Sequence, residues 1–222
     1  MTTVLVTGAN RGIGLELAKQ FAADRAEVIA TCRAPAKADA LKTVKGKVRV
    51  MALDVTDARS VAALKKDLGD VPIDILINNA GIGTPRGTQD YEARLAVFRT
   101  NTLGPWIVSE ALHDNVKRSQ QKKIVTISSG LGSIAGTSGG WQPYSASKAA
   151  VNSLMKGLAA TWAGDGILVG IFSPGWVQTD MGGAGAALTA EQSVRLLRQR
   201  IAELSARNSG HFIDHAGKEI AW

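Results

Sequence analysis

The stretch Val4-Leu5-Val6-Thr7-Gly8-Ala9-Asn10-Arg11-Gly12-Ile13-Gly14 decides how the rest of the chain is read. A short apolar run, Val4–Thr7, gives way at once to glycines spaced G-x-x-x-G-x-G, and then to helical periodicity over Ile13–Ala23. Glycine permits a tight turn and lets backbone N–H groups approach a phosphate closely. The start of the following helix adds the positive end of its dipole. The spacing differs from the commoner G-x-G-x-x-G, yet its place directly behind a first strand favours a dinucleotide phosphate loop over a plain turn. On that reading Gly8, Asn10, Arg11, Gly12, Ile13 and Gly14 hold a cofactor.

Working outward, the same β-then-α alternation repeats to the end of the chain. Strands are expected at Val4–Thr7, Glu27–Cys32, Val48–Leu53, Ile73–Asn78, Lys123–Ser128 and Leu168–Phe172, with a weaker seventh at His211–Ile213. Most are continuous apolar runs, the pattern of strands buried on both faces. Helical spacing covers Ile13–Ala23, Arg59–Leu68, Tyr91–His113, Tyr144–Trp162 and Ala190–Ala206. Thr189 and Gln192 form a capping box at the last of these, and Gly164-Asp165-Gly166 closes the one before it. The pattern predicts an α/β Rossmann fold: a doubly wound, parallel, seven-stranded sheet with helices on both faces. The 222 residues suit a single domain, 1–222, with no internal repeat or linker.

Bulk properties narrow the function. Met1-Thr2-Thr3 leads into Val4 without a basic leader, so no secretory signal is expected. No apolar run approaches bilayer length, so no membrane association is expected. Cys32 is the only cysteine, which fits a reducing cytoplasm and a packed thiol. The net charge of +7 is scattered, without the basic and aromatic interleaving of a nucleic-acid surface, so no nucleic-acid partner is expected. His113, His211 and His215 have neither metal-ligand spacing nor a partnering carboxylate cluster, so no metal is expected and structural or surface roles are.

The second strand ends at Thr31-Cys32-Arg33. A carboxylate there would bind the adenosine ribose of NAD; this chain has none. Arg33 sits where a 2′-phosphate would lie, and with Arg11 it offers two guanidiniums, so NADP(H) is the expected cofactor.

Tyr144 and Lys148 stand four apart on one helix face, where the ammonium is expected to lower the phenol's pKa and fit it for proton transfer near neutral pH. That pair alone says little. Its company says more: Asn78-Asn79-Ala80-Gly81 ends the fourth strand, Ser128-Ser129 the fifth, and Pro174-Gly175 follows the sixth.

Taken in order, these motifs resemble the short-chain dehydrogenase/reductase family over essentially the whole chain. The stretches Ser173–Gly183 and Asp214–Trp222 resemble its branch of sniffer-type carbonyl reductases and C-factor-like proteins. The resemblance implies Tyr144 as general acid/base, with Lys148 tuning it and holding the nicotinamide ribose. It implies Ser129 (rather than Ser128) on the substrate oxygen, and Asn101 kinking its helix and anchoring a water that leads from Lys148. It further implies Asp54 and Val55 at adenine, Asn79, Ala80 and Gly81 along the cleft, and Pro174, Gly175, Val177 and Thr179 at the nicotinamide. The substrate would be a small carbonyl or alcohol. The helices Tyr91–His113 and Tyr144–Trp162 would pair subunits into a homodimer or homotetramer.

Two departures mark the substrate side. Ser129 precedes Tyr144 by 15 positions, slightly more than is common in the family, and the surplus lies in the Gly-rich run ending Trp141-Gln142-Pro143. The region after Gly175 is short, which suggests an open or small lid, and its second Gly-rich segment, Gly182–Ala187, reads equally as a mobile lid over 182–190 or as an ordinary flexible loop. Trp141, Trp176 and Met181 are the expected apolar substrate wall, with packing or subunit contact as the other reading. A signalling protein of C-factor type with little turnover is the rival function. The retained Tyr144, Lys148, Ser129 and Asn101 weigh against it.

Overall fold

A computed structural model describes residues 1–84 and 89–222. Seven parallel strands, β1 (Thr3–Val6), β2 (Glu27–Cys32), β3 (Val48–Ala52), β4 (Ile75–Asn78), β5 (Lys123–Ile127), β6 (Leu168–Ser173) and β7 (Phe212–Asp214), form one sheet in the order β3-β2-β1-β4-β5-β6-β7. The order reverses between β1 and β4, which opens a crevice at their carboxyl ends; ligands bind at such a switch point.

Alternation along each strand sends residues to two separate cores. Val4 and Val6 of β1 face one core with Leu17 and Phe21 of α1 (Gly12–Ala23), Leu41 of α2 (Asp39–Lys42), and Val194, Leu197 and Ile201 of α8 (Ala190–Glu203). Leu5 faces the other core. There it meets Val61 and Leu64 of α3 (Ala58–Leu68), Val108 of α5 (Gly104–Ala111), and Val151 and Met155 of α7 (Gln142–Thr161). The capping box at α8 is present in both directions: Gln192 N–H donates to Thr189 Oγ1 at 3.1 Å, and Thr189 N–H to Gln192 Oε1 at 2.9 Å.

The expected helix Tyr91–His113 is not continuous. It divides into α4 (Tyr91–Phe98), a π-helical turn at Arg99–Leu103, α5, and α6 (His113–Lys117). The cause lies outside the helix: buried Asn101 pairs with the main chain of Ile82, accepting its N–H and donating to its carbonyl, both at 2.9 Å. A wider turn lets a helical side chain reach out in this way. Next to it, Gly104 lies against Val55, where an added Cβ would stand 2.9 Å from Val55 Cγ2. Smaller differences are a 3-10 turn at Pro35–Lys37 and the short α2, which periodicity does not signal, an α7 that begins at Gln142, and an α8 that ends at Glu203. No helix among the described residues is long and apolar enough to cross a membrane.

Candidate active site

The glycine loop is built by crowding. Gly8 (φ +64°) approaches Ala80 so closely that a Cβ would lie 2.9 Å from Ala80 Cα. A Cβ on Gly14 would lie 2.3 Å from the Gly8 carbonyl oxygen and 2.5 Å from Asn79 Nδ2, where no side chain fits. Thr7 and Asn79 lock the loop to the end of β4. Asn79 Nδ2 donates to the carbonyls of Thr7 (2.9 Å) and Gly8 (3.2 Å), and Thr7 Oγ1 accepts the N–H groups of Asn79 and Ala80, both at 3.0 Å. Asn79 therefore braces the loop with its side chain. Gly14→Ala is expected to destabilise the fold by about 1–3 kcal/mol and to weaken dinucleotide binding. Urea melts and a binding titration check both.

Around the loop the sequence-assigned residues divide. Asn10 is exposed and Ile13 half-buried at its rim. Arg33 is exposed beyond β2, and its charge acts on Asp54. Burial opposes ionisation of Asp54, but hydrogen bonds from Thr56 Oγ1 (2.7 Å) and N–H (2.9 Å), together with Arg33, hold the carboxyl below its usual range. Val55 is buried, with its side chain spent on Gly104. Arg11 is engaged elsewhere than a shared phosphate would require: its guanidinium pairs with Asp180 at 2.8 Å across the mouth of the crevice. A Cβ on Gly12 would lie 3.3 Å from Thr179 Cγ2, so the glycine loop and the segment after Gly175 face each other there. Pro174 and Val177 are buried, and Gly175 (φ +80°) is pressed by Leu188 and His215. The segment folds back on itself through Gln178 N–H to the Leu188 carbonyl (2.8 Å) and Leu188 N–H to the Trp176 carbonyl (3.1 Å).

Tyr144, Lys148 and Ser129 converge at the carboxyl edge of β5. Ser129 stands near enough to the Tyr144 phenol to act on its ionisation. Burial pushes that phenol above its ordinary range, and Ser129 pulls it part of the way back. Lys148 Nζ stands 5.7 Å from the Tyr144 ring centroid. Nζ is buried, donates to the Ile127 carbonyl at 2.8 Å, and is brought down by burial to about 8. The balance at Tyr144 thus differs from the sequence expectation. Burial and Ser129 govern the phenol, and burial separately brings the Lys148 ammonium down.

Ser128 and Ser129 part company as the extended backbone requires. Ser128 turns inward and donates to Asn152 Oδ1 at 2.5 Å, while Ser129 faces Tyr144. Asn152, which the sequence reading passed over, lies one turn beyond Lys148 on the same helix face; the i, i+4, i+8 spacing from Tyr144 is the signal that points to it. Asn101 reaches the same helix, donating to Ser147 Oγ at 3.1 Å, and an added Cβ on Gly81 would lie 3.3 Å from Asn101 Oδ1 and 3.8 Å from Lys148 Nζ.

Of the expected apolar wall, two members meet. A methyl placed on Gly83 would lie 3.6 Å from Met181 Cγ and 3.7 Å from the Trp141 ring, and Trp141 also stacks edge-on with Tyr144 at 6.3 Å. Trp176, the third member, is 60% exposed, and its indole N–H donates to the carbonyl of Gly182, the residue after Met181, at 2.8 Å. The histidines need a correction as well. His113 is flanked by carboxylates, with Nδ1 3.0 Å from Asp114 and Nε2 2.9 Å from Asp165, and His211 Nδ1 lies 3.3 Å from Glu219. Sequence distance hid Asp165. No cluster able to hold a metal occurs among the described residues. Cys32 is buried, which raises its thiol pKa. A separate concavity of about 530 Å³, lined by Lys156, Ile167, His211 and Trp222 among others, lies near the amino ends of β6 and β7 and includes none of the candidate residues.

A family model described as short chain dehydrogenase matches residues 2–187. The chain is 37% identical to the C-signal protein of Myxococcus xanthus over 155 residues, covering 68% of this chain and 93% of that protein. Among solved structures it is similar to the carbonyl reductase Sniffer of D. melanogaster, with a TM-score of 0.89, 30% identity and 100% of both chains covered. It is also similar to an NADPH-bound carbonyl reductase from chicken fatty liver, with a TM-score of 0.90, 33% identity, and 100% of this chain and 99% of that chain covered.

Proposed function

The chain belongs to the short-chain dehydrogenase family, and from that membership we propose that it is an NADP(H)-dependent carbonyl reductase whose working groups are Tyr144, Lys148, Ser129 and Asn101. The observation that carries the reading is buried Lys148, which donates to the Ile127 carbonyl at the end of β5 at 2.8 Å and stands 5.7 Å from the Tyr144 ring, one strand away from the reversal between β1 and β4.

The residues fit a phosphorylated dinucleotide. Side chains at Gly8 and Gly14 would collide with Ala80 and with the Gly8 carbonyl, so only glycine keeps the loop this tight behind β1, and the end of β2 presents Arg33 in place of a carboxylate. Since Asp180 occupies Arg11, selection for the 2′-phosphate falls mainly on Arg33. Arg33→Ala is therefore expected to raise the Kd for NADPH roughly tenfold while that for NADH stays within about twofold; fluorescence titration measures both. Equal losses for the two nucleotides would remove Arg33 from phosphate recognition.

When bound, the nicotinamide supplies the hydride that reduces a carbonyl carbon as the cofactor is oxidised. Tyr144 donates the proton that the carbonyl oxygen gains and in reverse accepts it from the alcohol. Ser129 donates a hydrogen bond to the same oxygen, where negative charge develops. Lys148, anchored on the Ile127 carbonyl, stands beside the tyrosine as a cation that can lose its proton near pH 8. Asn101 fixes the segment after Gly81 against α7, which keeps Lys148 and the cleft wall in register. Trp141 and Met181 give the substrate an apolar side. The helices α4, α5 and α7 present the faces through which copies of the chain would assemble into a dimer or tetramer.

The test is oxidation of NADPH and NADH over a panel of aldehydes, ketones and diketones. Turnover with NADPH preferred is expected. Cofactor binding without turnover on any carbonyl would favour the signalling alternative, although none of the four working residues is missing.

A further inference from the structure

The run Ser129–Tyr144 joins two parts of the proposed site, Ser129 at its start and Trp141 and Tyr144 at its end, through seven consecutive exposed positions at 134–140 and a single 3-10 turn at Gly130–Gly132. Such a segment needs an outside anchor to hold its first residue still. The start has one in Ser173, whose Oγ accepts the Gly130 N–H at 2.9 Å. The middle has another, which comes from the far end of the sequence. Ser133 is buried, and its Oγ donates to the Ala221 carbonyl at 2.6 Å; Ala135 N–H donates to the Trp222 main-chain oxygen at 2.9 Å.

The stretch that supplies these acceptors is itself clamped. After β7 the chain turns at Gly217 (φ +94°) and returns antiparallel, with Asp214 N–H donating to the Lys218 carbonyl and Ile220 N–H to the Phe212 carbonyl, both at 2.8 Å. The Trp222 ring lies 5.8 Å from the ring of fully buried Phe212, and Lys156 Nζ of α7 sits 4.2 Å from the indole centroid. The indole thus ties the returning strand to β7 and to the helix that carries Tyr144 and Lys148.

We propose that Ala221-Trp222 is a strap that positions Ser129 against Tyr144, with Ser133 and Trp222 as positioning residues for proton transfer. The proposal rests on the reading of Tyr144 and Ser129 given above. The phenol faces Ser129 from the loop after β5, Lys148 on its own helix and the Trp141 ring; Lys148 is the charged group in that set. Loosening the strap lets Ser129 drift from the phenol, which removes an influence that favours the ionised form and so raises the pH at which Tyr144 titrates.

Trp222→Ala, Trp222→Phe and Ser133→Ala are the variants, compared with the full-length wild type. Tyr91 is the only other tyrosine and is 71% exposed, so a Tyr91→Phe background leaves Tyr144 as the single phenol in an ultraviolet titration. Trp222→Ala is expected to lower kcat about tenfold, and Ser133→Ala about threefold. In both, Tyr144 should titrate about half a pH unit higher, with NADPH Kd within twofold (about) of wild type. Trp222→Phe, which keeps an aromatic ring on Phe212, should restore most of the loss. If Trp222→Ala does not fold, Ser133→Ala decides alone. A folded variant with unchanged kcat, or one with reduced kcat and an unmoved Tyr144 titration, overturns the strap. Wild-type protein that reduces no carbonyl sinks the reductase reading instead, while the phenol titration still judges the strap.

Discussion

Tyr144→Phe is expected to lower kcat for carbonyl reduction by about 10²–10⁴-fold, the range carried by a general acid in the transition state, while NADPH affinity changes by less than about threefold. The substitution removes one oxygen from a half-buried ring whose other contacts, the edge of Trp141 and the cation of Lys148, are made by the ring itself. Little packing is lost, so the melting temperature should hardly move. Ser129 keeps its partner, the Leu131 N–H at 3.2 Å, and stays in place. The loss should therefore appear in kcat and kcat/KM together, as for an interaction made only in the transition state. Single-turnover NADPH oxidation checks it, and a variant that retains wild-type turnover would remove Tyr144 from proton transfer.

The path from sequence to this prediction was readable where the signal was local. The glycine loop announced itself because strand, turn and helix start lie within about a dozen residues. Most strands were readable because β1, β2, β4, β5 and β6 are buried along nearly their whole length, so β-branched runs stand out against the helices. Tyr144 and Lys148 lie on one helix turn. What escaped was set by distant partners. The kink at Asn101 was expected, but its partner Ile82 was not; Arg11 is drawn to Asp180, 169 positions away; and His113 finds Asp165 at 52. The motif Asp214–Trp222 was visible as a pattern, but its link to Ser133 depends on how β7 turns back, which no periodicity encodes. Trp176 was placed on the substrate wall by residue type, and its bond to the Gly182 carbonyl depends on how the chain after Gly175 folds back.

Lys148→Met is expected to give a protein that is more stable at pH 7 yet slower by at least about 10²-fold, because the ammonium is held in the fold at a cost. Burial brings this lysine from 10.5 to about 8. At about 1.4 kcal/mol for each pH unit of that difference, the folded state bears about 3 kcal/mol. Below pH 8 both folded and unfolded chains carry the proton, and the cost is present in full. Between pH 8 and 10.5 the unfolded chain holds more protons than the folded one, so stability rises with pH. Above 10.5 neither state is charged, and the cost is gone. Methionine matches the aliphatic stem, so the site does not collapse. It also leaves the Ile127 carbonyl without its donor, a loss of about 1 kcal/mol. The net gain at pH 7 is then about 2 kcal/mol, shrinking to nothing or reversing by pH 10.5. Urea denaturation of both proteins at pH 7 and pH 10 measures the difference directly. A methionine variant that is less stable at both values would mean that the lysine contributes more to holding β5 and α7 together than its charge costs, and that the fold does not trade stability for a cation beside Tyr144.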